Sequence, residues 1–309
     1  MNISQLKSDA LRCMRAAGKK PYQLTFLSVA VSVAAAVVVG LVGTAVSNFQ
    51  GGEGLSGMGS ASMLQALEQS LNVIVQLLSP FWAVGLVAAL FAIAHGHYAD
   101  NGTLLEGFRS FFPFLRLYLL KFMLMIAVVT LTCVVSVFLY FLTPWAVKLQ
   151  AAVAENPDIL ENVERLTKEM LPFMAIYALL LLAVLVPLIY RLRFADYLLI
   201  SGWKGAMLAI ATSFRLTKGR VKTLFMLDLS FWWYYLGSAL LLGVCDLDVV
   251  VGLFGHRLNM DAQAAYWVCY LCYAAGHLAL ETYARPRVEG ANVLLFRAVF
   301  MEAQAQTSV

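Results

Sequence analysis

Three polar residues that are able to do chemistry lie inside apolar sequence. Asp228 follows a basic run and lies about 9 Å into an apolar stretch, at 1.5 Å of rise per helical residue. His277 and Glu281 stand four residues apart in another apolar stretch, which places both on one face of a helix. A carboxylate at the centre of a bilayer costs on the order of 2.5–3.5 kcal/mol on insertion, so we expect another group to face it.

Asp228 has two interpretations. As a functional residue, its carboxylate would handle a proton or a cation within the membrane. As a structural residue, it would pair with a neighbouring helix, and the candidate partners are Arg191, Arg193, His277 and an arginine of the hinge before it. We favour the structural role. The aromatic residues that follow Asp228 are then expected to pack between helices.

A metal site is a second chemical hypothesis. His95 and His97, with Asp100, mark the end of one apolar stretch, and His277 and Glu281 are expected at a similar depth. Histidine and carboxylate ligands suit zinc, but this spacing matches no recognised signature such as HExxH, and the ligands come from separate segments. We therefore expect no metal and no other cofactor, and we interpret these side chains as polar residues near a membrane interface.

The remaining candidates are weaker signals. Cys269 and Cys272 form a CxxC motif within apolar sequence, where cysteine behaves as a small hydrophobic residue. Asp246, Asp248 and Asp261 are able to bind a cation, although such a cluster more often enforces topology. No P-loop, GxSxG elbow or zinc signature occurs in a usable context, so the sequence predicts no catalytic residue and no enzyme.

Composition indicates which elements position these residues. Hydrophobic residues make up 61% of the 309 residues and charged residues only 13%, and the apolar residues come in blocks. Six blocks are long enough to cross a bilayer, at residues 24–46, 71–94, 122–142, 171–190, 223–244 and 264–283. The predicted fold is therefore all-α, with six transmembrane helices in three hairpins. The membrane domain covers 23–284, between an amphipathic arm at 1–22 and a tail at 285–309.

The basic residues set the predicted orientation. All but four of the 22 Lys and Arg residues fall in the arm, in the second-to-third and fourth-to-fifth connections, and in the tail. The exceptions are Lys148, Arg165, Lys168 and Arg257. The positive-inside rule then places both termini in the cytoplasm. Because the charges follow topology, the net charge of +4 does not indicate a nucleic-acid partner.

Segments on the predicted inner side have helical patterns of their own. Apolar residues recur at helical spacing in the arm (Ile3, Leu6, Ala10, Met14) and after the fourth crossing (Met207, Ile210, Ala211, Phe214). Thr103 and Glu106 have the spacing of a capping box, and Gly219 is a natural helix stop. We expect these helices to lie in the interface with their apolar faces in the membrane. Interface helix, basic hinge and crossing occur three times, which suggests a threefold repeat of hairpins.

The basic hinge residues predict the partner. They are Arg191, Arg193, Arg215, Lys218, Arg220 and Lys222. Clustered cations beside a membrane attract anionic headgroups of the cytoplasmic leaflet. The leading hypothesis is therefore a non-enzymatic membrane protein that docks anionic lipid or a membrane protein partner. The alternatives are a small transporter or exporter subunit that uses Asp228, His277 and Glu281, and a metal-dependent membrane enzyme.

One stretch resembles a known family. The sequence "TSFRLTKGRVKTLFMLDLSFWWYYLGSALLLG", residues 212–243, resembles the bacterial membrane family called domain of unknown function 975. The residues that match its order are Ser213, Lys218, Gly219, Leu224, Phe225, Asp228, Leu229, Ser230 and Phe231. The chain departs from the family's pattern at Thr217 and at Arg220–Val221. The resemblance implies a multi-pass protein of the bacterial cytoplasmic membrane with no assigned biochemical activity.

Overall fold

The chain folds into helices that are long enough to cross a membrane. A computed structural model describes residues 2–51, 58–155, 163–203, 205–244 and 262–307, and within these ranges there is no β-strand. Four of the described helices are long and apolar enough to span a bilayer, and a bent pair makes a fifth if it is counted as one span. The all-α fold class is confirmed, and the long apolar helices are those of a membrane-embedded protein.

The helices follow one another with short connections. Their bounds are α1 Ile3–Ala16, α2 Lys20–Gly51, α3 Met58–Ala94, a 3₁₀ helix Asn101–Leu105, α4 Glu106–Arg109, α5 Phe111–Phe141, α6 Pro144–Glu155, α7 Val163–Leu192, α8 Phe194–Ile200, α9 Ala206–Leu216, α10 Val221–Leu229, α11 Trp232–Val244 and α12 Ala262–Thr307. The chain forms two compact units. One contains Met1–Phe111 and Phe225–Val309, and the other contains Phe112–Leu224.

The apolar spans agree with four of the predicted crossings and extend two of them. They cover Lys20–Gly43, Gln69–Ala94, Phe111–Phe141 and Met170–Ile200. The third span begins at Phe111 instead of residue 122, because α5 includes Lys121, whose charge is neutralised by Asp196 at 2.8 Å. The predicted fifth crossing corresponds to α10 and α11, which are bent by 64°. The predicted sixth, at 264–283, lies in α12, where tyrosines, His277 and Glu281 lower the hydropathy below that of the four spans.

The N-terminal helix packs on the C-terminal helix. Leu6, Ala10 and Met14 of α1 are buried, and a Cβ added at Gly290 of α12 would lie 2.8 Å from Met14 Cε. The predicted contact of this apolar stripe with lipid is therefore wrong. The stripe is covered by protein, because α12 continues as one helix through the residues interpreted as a tail and presents Gly290 to α1.

The polar connection after α3 folds back along that helix. A Cβ at Gly85 would lie 1.8 Å from the carbonyl oxygen of Leu104, so backbone meets backbone there and only glycine fits. The capping box begins three residues earlier than predicted: Asp100 Oδ1 accepts from Thr103 N, and Thr103 Oγ1 accepts from Asp100 N. Hydrogen bonds from the side chain and backbone of Thr103 hold the pKa of Asp100 below its ordinary value.

In the first unit, the exposed apolar side chains of α2, α3 and α12 stop at a similar height along the three helices. The indole of Trp82 on α3 donates to the carbonyl of Ser28 on α2, at 2.9 Å, and so aligns the two helices. On α3, no large apolar side chain is exposed after Leu78, on α2 none is exposed before Phe26, and on α12 none is exposed between Tyr283 and Met301. We call the helical segments beyond this level the polar bundle: α1, residues 20–25 of α2, residues 83–94 of α3 and residues 284–307 of α12.

Candidate functional site

The clearest irregularity of the first unit is the break between α10 and α11. The helix ends at Leu229 and restarts at Trp232 with no glycine or proline at the break. Ser230 Oγ donates to the carbonyl of Leu227 at 2.6 Å, and Phe231 N donates to the carbonyl of Asp228 at 2.8 Å. A serine hydroxyl that bonds the preceding turn in this way competes with the helical ladder and bends it.

The carbonyl that the break releases is bound by a residue from the start of the chain. Lys7 Nζ donates to the backbone oxygen of Ser230 at 2.8 Å and lies 4.5 Å from the centroid of the Phe231 ring. A cation at the C-terminal end of α10 also interacts favourably with the helix dipole. No local sequence pattern indicates this contact, because Lys7 is 223 residues away from Ser230 in the chain.

Asp228 lies one turn before this junction and is half-buried. Because Lys7 belongs to the polar bundle, its contact with Ser230 places Asp228 where that bundle meets the apolar helices. A carboxylate at such a boundary has a lower insertion cost than one at the bilayer centre. Its expected pairing with Arg191, Arg193, His277 or a hinge arginine stays a prediction.

Glu281 has the best-defined polar environment of the predicted site residues. Its side chain is buried, Oε1 accepts from the hydroxyl of Tyr234 at 2.7 Å, and Oε2 accepts from Arg285 Nη1 at 3.3 Å. Both carboxylate oxygens are therefore occupied, by one residue of α11 and one of α12. A buried carboxylate that is satisfied in this way links two helices.

Small residues bring the same two helices together. A Cβ at Gly276 would lie 2.7 Å from Leu241, and a Cβ at Gly237 would lie 3.2 Å from Leu280. Close approach at glycines is the usual way in which membrane helices pack. Beyond Glu281, the guanidinium of Arg287 lies 3.7 Å from the centroid of the Tyr283 ring, a cation–π contact within α12.

The predicted metal ligands are not gathered into a metal site in the described part of the chain. His277 stacks on Tyr273 with 5.5 Å between ring centroids, and His95 Nδ1 lies 2.9 Å from the carbonyl oxygen of Phe91. Within the described ranges, no three His, Cys, Asp or Glu side chains are close enough to hold a metal ion. The acidic cluster Asp246, Asp248 and Asp261 lies outside those ranges.

In the second unit, two of the predicted basic residues lie over aromatic rings. Arg191 is 5.9 Å from the ring centroid of Phe214, and Arg193 is 5.9 Å from that of Tyr190. The buried hydroxyl of Ser213 donates to the carbonyl of Arg191 at 2.5 Å and so binds the C-terminal end of α7 to α9. These contacts give Arg191 and Arg193 structural roles in addition to their charge.

The exposed face of α9 carries apolar and basic side chains. Met207 and Leu208 are 70% and 57% exposed, while Ala209, Ser213 and Leu216 are buried. The predicted apolar stripe (Met207, Ile210, Ala211, Phe214) is exposed or half-buried in the protein, and its contact with the membrane stays a prediction. As predicted, Gly219 follows the end of α9, and its φ of +75° is readily adopted only by glycine.

The cations at the C-terminal end of α9 and just after it are exposed at the protein surface. Arg215, Lys218 and Lys222 are exposed, and none of the three forms an ion pair with a carboxylate of the described chain. We call these three residues the basic hinge patch.

Comparison with models of protein families, with curated proteins and with solved structures finds no match to this chain.

Proposed function

We propose that the chain is a six-span protein of the bacterial cytoplasmic membrane, with three helical hairpins and both termini in the cytoplasm. In this arrangement α10 and α11 form the fifth span as one bent unit, and the first part of α12 forms the sixth. The bias of Lys and Arg toward one side of the membrane supports the orientation. Membership of the family that residues 212–243 resemble is part of the same proposal.

The proposed activity is binding of anionic lipid headgroups at the basic hinge patch. The observation that carries it is the presence, on α9, the turn after it and the first turn of α10, of two exposed apolar side chains and three exposed cations without carboxylate partners in the described chain. Met207 and Leu208 suit the acyl boundary, and the cations suit the headgroup phosphates. Each cation near an anionic surface contributes about 1 kcal/mol.

We propose that the protein acts as a binding and scaffolding element rather than as an enzyme. Glu281, the most buried of the three predicted intramembrane polar residues, has both carboxylate oxygens bonded, by Tyr234 and Arg285. That arrangement supports a structural carboxylate in preference to a proton carrier, which would need access to a polar path. The alternative ligand of the basic hinge patch is a membrane protein partner, which would supply the negative charge in place of the lipid headgroups.

Lipid retention tests this proposal. The protein is reconstituted in nanodiscs of mixed phosphatidylcholine and phosphatidylglycerol, re-extracted into neutral detergent, and its bound lipid is counted by mass spectrometry. The patch variant is Arg215→Gln/Lys218→Gln/Lys222→Gln. We expect it to retain several-fold less phosphatidylglycerol than the parent protein, with unchanged phosphatidylcholine.

The control removes three other exposed cations from α1 and the turn after it: Arg12→Gln/Arg15→Gln/Lys19→Gln. This variant has the same change in net charge, but its substitutions lie in the polar bundle and the turn beside it. It should retain the parental amount of phosphatidylglycerol. Equal losses of phosphatidylglycerol from both variants would show that retention depends only on net charge, and would reject the basic hinge patch as a lipid site.

A further inference from the structure

A cleft of about 680 Å³ opens at the end of the polar bundle. Its walls are the end of α1, the first residue of α2, the turn after α3 and one turn of α12. The polar side chains that line it are Cys13, Lys20, His95, His97, Tyr98 and Arg297. A cleft of this size is within the range that holds small molecules.

The lining is basic. None of the lining residues is acidic, and neither Lys20 nor Arg297 pairs with a carboxylate in the part of the chain that the structure describes. Lys20 is held in place over the Tyr98 ring, with its ammonium 5.4 Å from the ring centroid, and that ring is 79% exposed at the rim. Two cations that converge on a cleft without a counter-charge favour an anionic ligand.

The ends of two helices that border the cleft add to the preference for an anionic ligand. Lys20 is the first residue of α2, so the positive end of that helix dipole is at the cleft. The negative end of α3 is also there, but its last carbonyls already accept hydrogen bonds. His97 N donates to Ala92 and Gly96 N to Ile93 in a Schellman motif, with φ of +78° at Gly96.

The position of the cleft distinguishes a soluble ligand from a lipid. Lys20 precedes Phe26, the nearest exposed apolar side chain of α2, by six residues, so the cleft lies about 9 Å beyond the level at which exposed apolar side chains end. The headgroup layer is only about 5–7 Å thick on each side of the hydrocarbon core. A lipid phosphate does not reach that far.

We propose that this cleft binds a soluble, phosphate-bearing small molecule, with Lys20 and Arg297 as the cations that hold the phosphate groups. His97 lines the same space and adds a hydrogen-bond donor from its ring. The site is distinct from the basic hinge patch, which belongs to the other unit of the chain. The protein would then carry a lipid-facing surface and a separate ligand site in the polar bundle.

Inorganic pyrophosphate is the probe for this site. Calorimetric titration of the purified full-length chain in neutral, lipid-free detergent, at constant ionic strength set with sodium chloride, should show saturable binding of one equivalent. Lys20→Ala/Arg297→Ala should weaken this binding at least tenfold, and Arg297→Lys should keep most of it. Size-exclusion elution of each variant reports whether it is folded, and both side chains lie at the surface of the cleft.

The matched control is Arg12→Ala/Arg15→Ala, which removes two exposed cations of α1 that do not line the cleft and should leave the affinity unchanged. No saturable binding, or equal loss in the two double variants, would overturn the proposal. Competition by phosphatidylglycerol nanodiscs would also overturn it, because the ligand would then be a headgroup. Lys20→Ala/Arg297→Ala should still retain phosphatidylglycerol in the lipid-retention experiment. Failure of the cleft proposal is therefore distinguishable from failure of the lipid site at the basic hinge patch.

Discussion

The ammonium group of Lys7 donates a 2.8 Å hydrogen bond to the backbone carbonyl of Ser230, and so joins the first helix of the chain to the break in its fifth apolar segment. The carbonyl of a broken helix needs a partner when it is removed from water. Here the partner is a cation that the sequence places in the N-terminal arm. The arm is therefore an integral part of the first unit, held there by Lys7 and by the buried stripe of α1.

Replacing Lys7 should destabilise the first unit. Lys7→Met keeps the length of the side chain but removes the donor, so the Ser230 carbonyl loses its charged partner. We expect a loss of about 1–2 kcal/mol, in the range for a partly exposed hydrogen bond to a charged group. Thermal denaturation in detergent measures this loss. Lys19→Met, at an exposed lysine of the turn before α2, should leave the melting temperature unchanged. Equal melting temperatures for the two variants would show that the contact contributes nothing.

Tyr234 and Glu281 should be energetically coupled. Tyr234→Phe removes the hydroxyl that donates to Oε1, and Glu281→Gln removes the charge that receives both donors. In a double-mutant cycle we expect a coupling energy of about 1–2 kcal/mol, because the pair is buried and one partner is charged. Tyr235→Phe, on the adjacent and more exposed tyrosine, is the matched control and should show no such coupling to Glu281→Gln. Additive losses for Tyr234 and Glu281 would contradict a structural link between α11 and α12.

Alanine should not be tolerated at Gly85. Its Cβ would lie 1.8 Å from the Leu104 carbonyl oxygen, which is backbone and has no rotamer that relieves the clash. We expect a loss of about 3 kcal/mol or more and strongly reduced accumulation in the membrane. Gly243→Ala makes the same chemical change in a helix with no atom within 4 Å of the new methyl group. It measures the gain in helix propensity alone and should be neutral or stabilising. Similar accumulation of the two variants would contradict the backbone packing of the segment 101–109 on α3.

Removing the amide of Asn292 should stabilise the protein. Asn292 is fully buried on α12, and neither its side-chain nitrogen nor its oxygen has a hydrogen-bond partner among the described residues. A buried polar group without a partner costs about 1–3 kcal/mol. Asn292→Leu has the same number of side-chain heavy atoms and should raise the melting temperature, whereas Asn292→Asp, which adds a charge there, should lower it. A lower melting temperature for the leucine variant would indicate that the amide is bonded in the native protein.

The spans and the helix stops were predictable from sequence because they depend on local signals. Runs of apolar residues set the spans, and Gly219 allows the turn that follows α9 through its own backbone preference. The apolar stripe of α1 was equally clear, but the surface that covers it was not. Helical spacing identifies an apolar face and does not distinguish lipid from a protein helix such as α12.

Most of the polar contacts could not be predicted from the sequence. Lys7, Tyr234 and Asp196 each bind a group that is distant in the chain, and none of them stands in a motif. Arg285 is the exception, since its spacing of four residues from Glu281 on one helix predicts the pair. The cleft at Lys20 and Arg297 also brings together residues from opposite ends of the chain, which no local pattern indicates.

The central claim is that the polar bundle lies on the cytoplasmic side and that the apolar helices cross the membrane with the residues that lie outside this bundle. Single-cysteine variants in a cysteine-free background test it most directly, with a membrane-impermeant maleimide applied to intact cells that express the protein. Tyr98→Cys, at an exposed position beside the polar bundle, should react only after permeabilisation, whereas Gly54→Cys, in the connection between α2 and α3, should react in intact cells. Labelling of Tyr98→Cys in intact cells, with Gly54→Cys protected, would contradict the orientation and the assignment of the basic side to the cytoplasm.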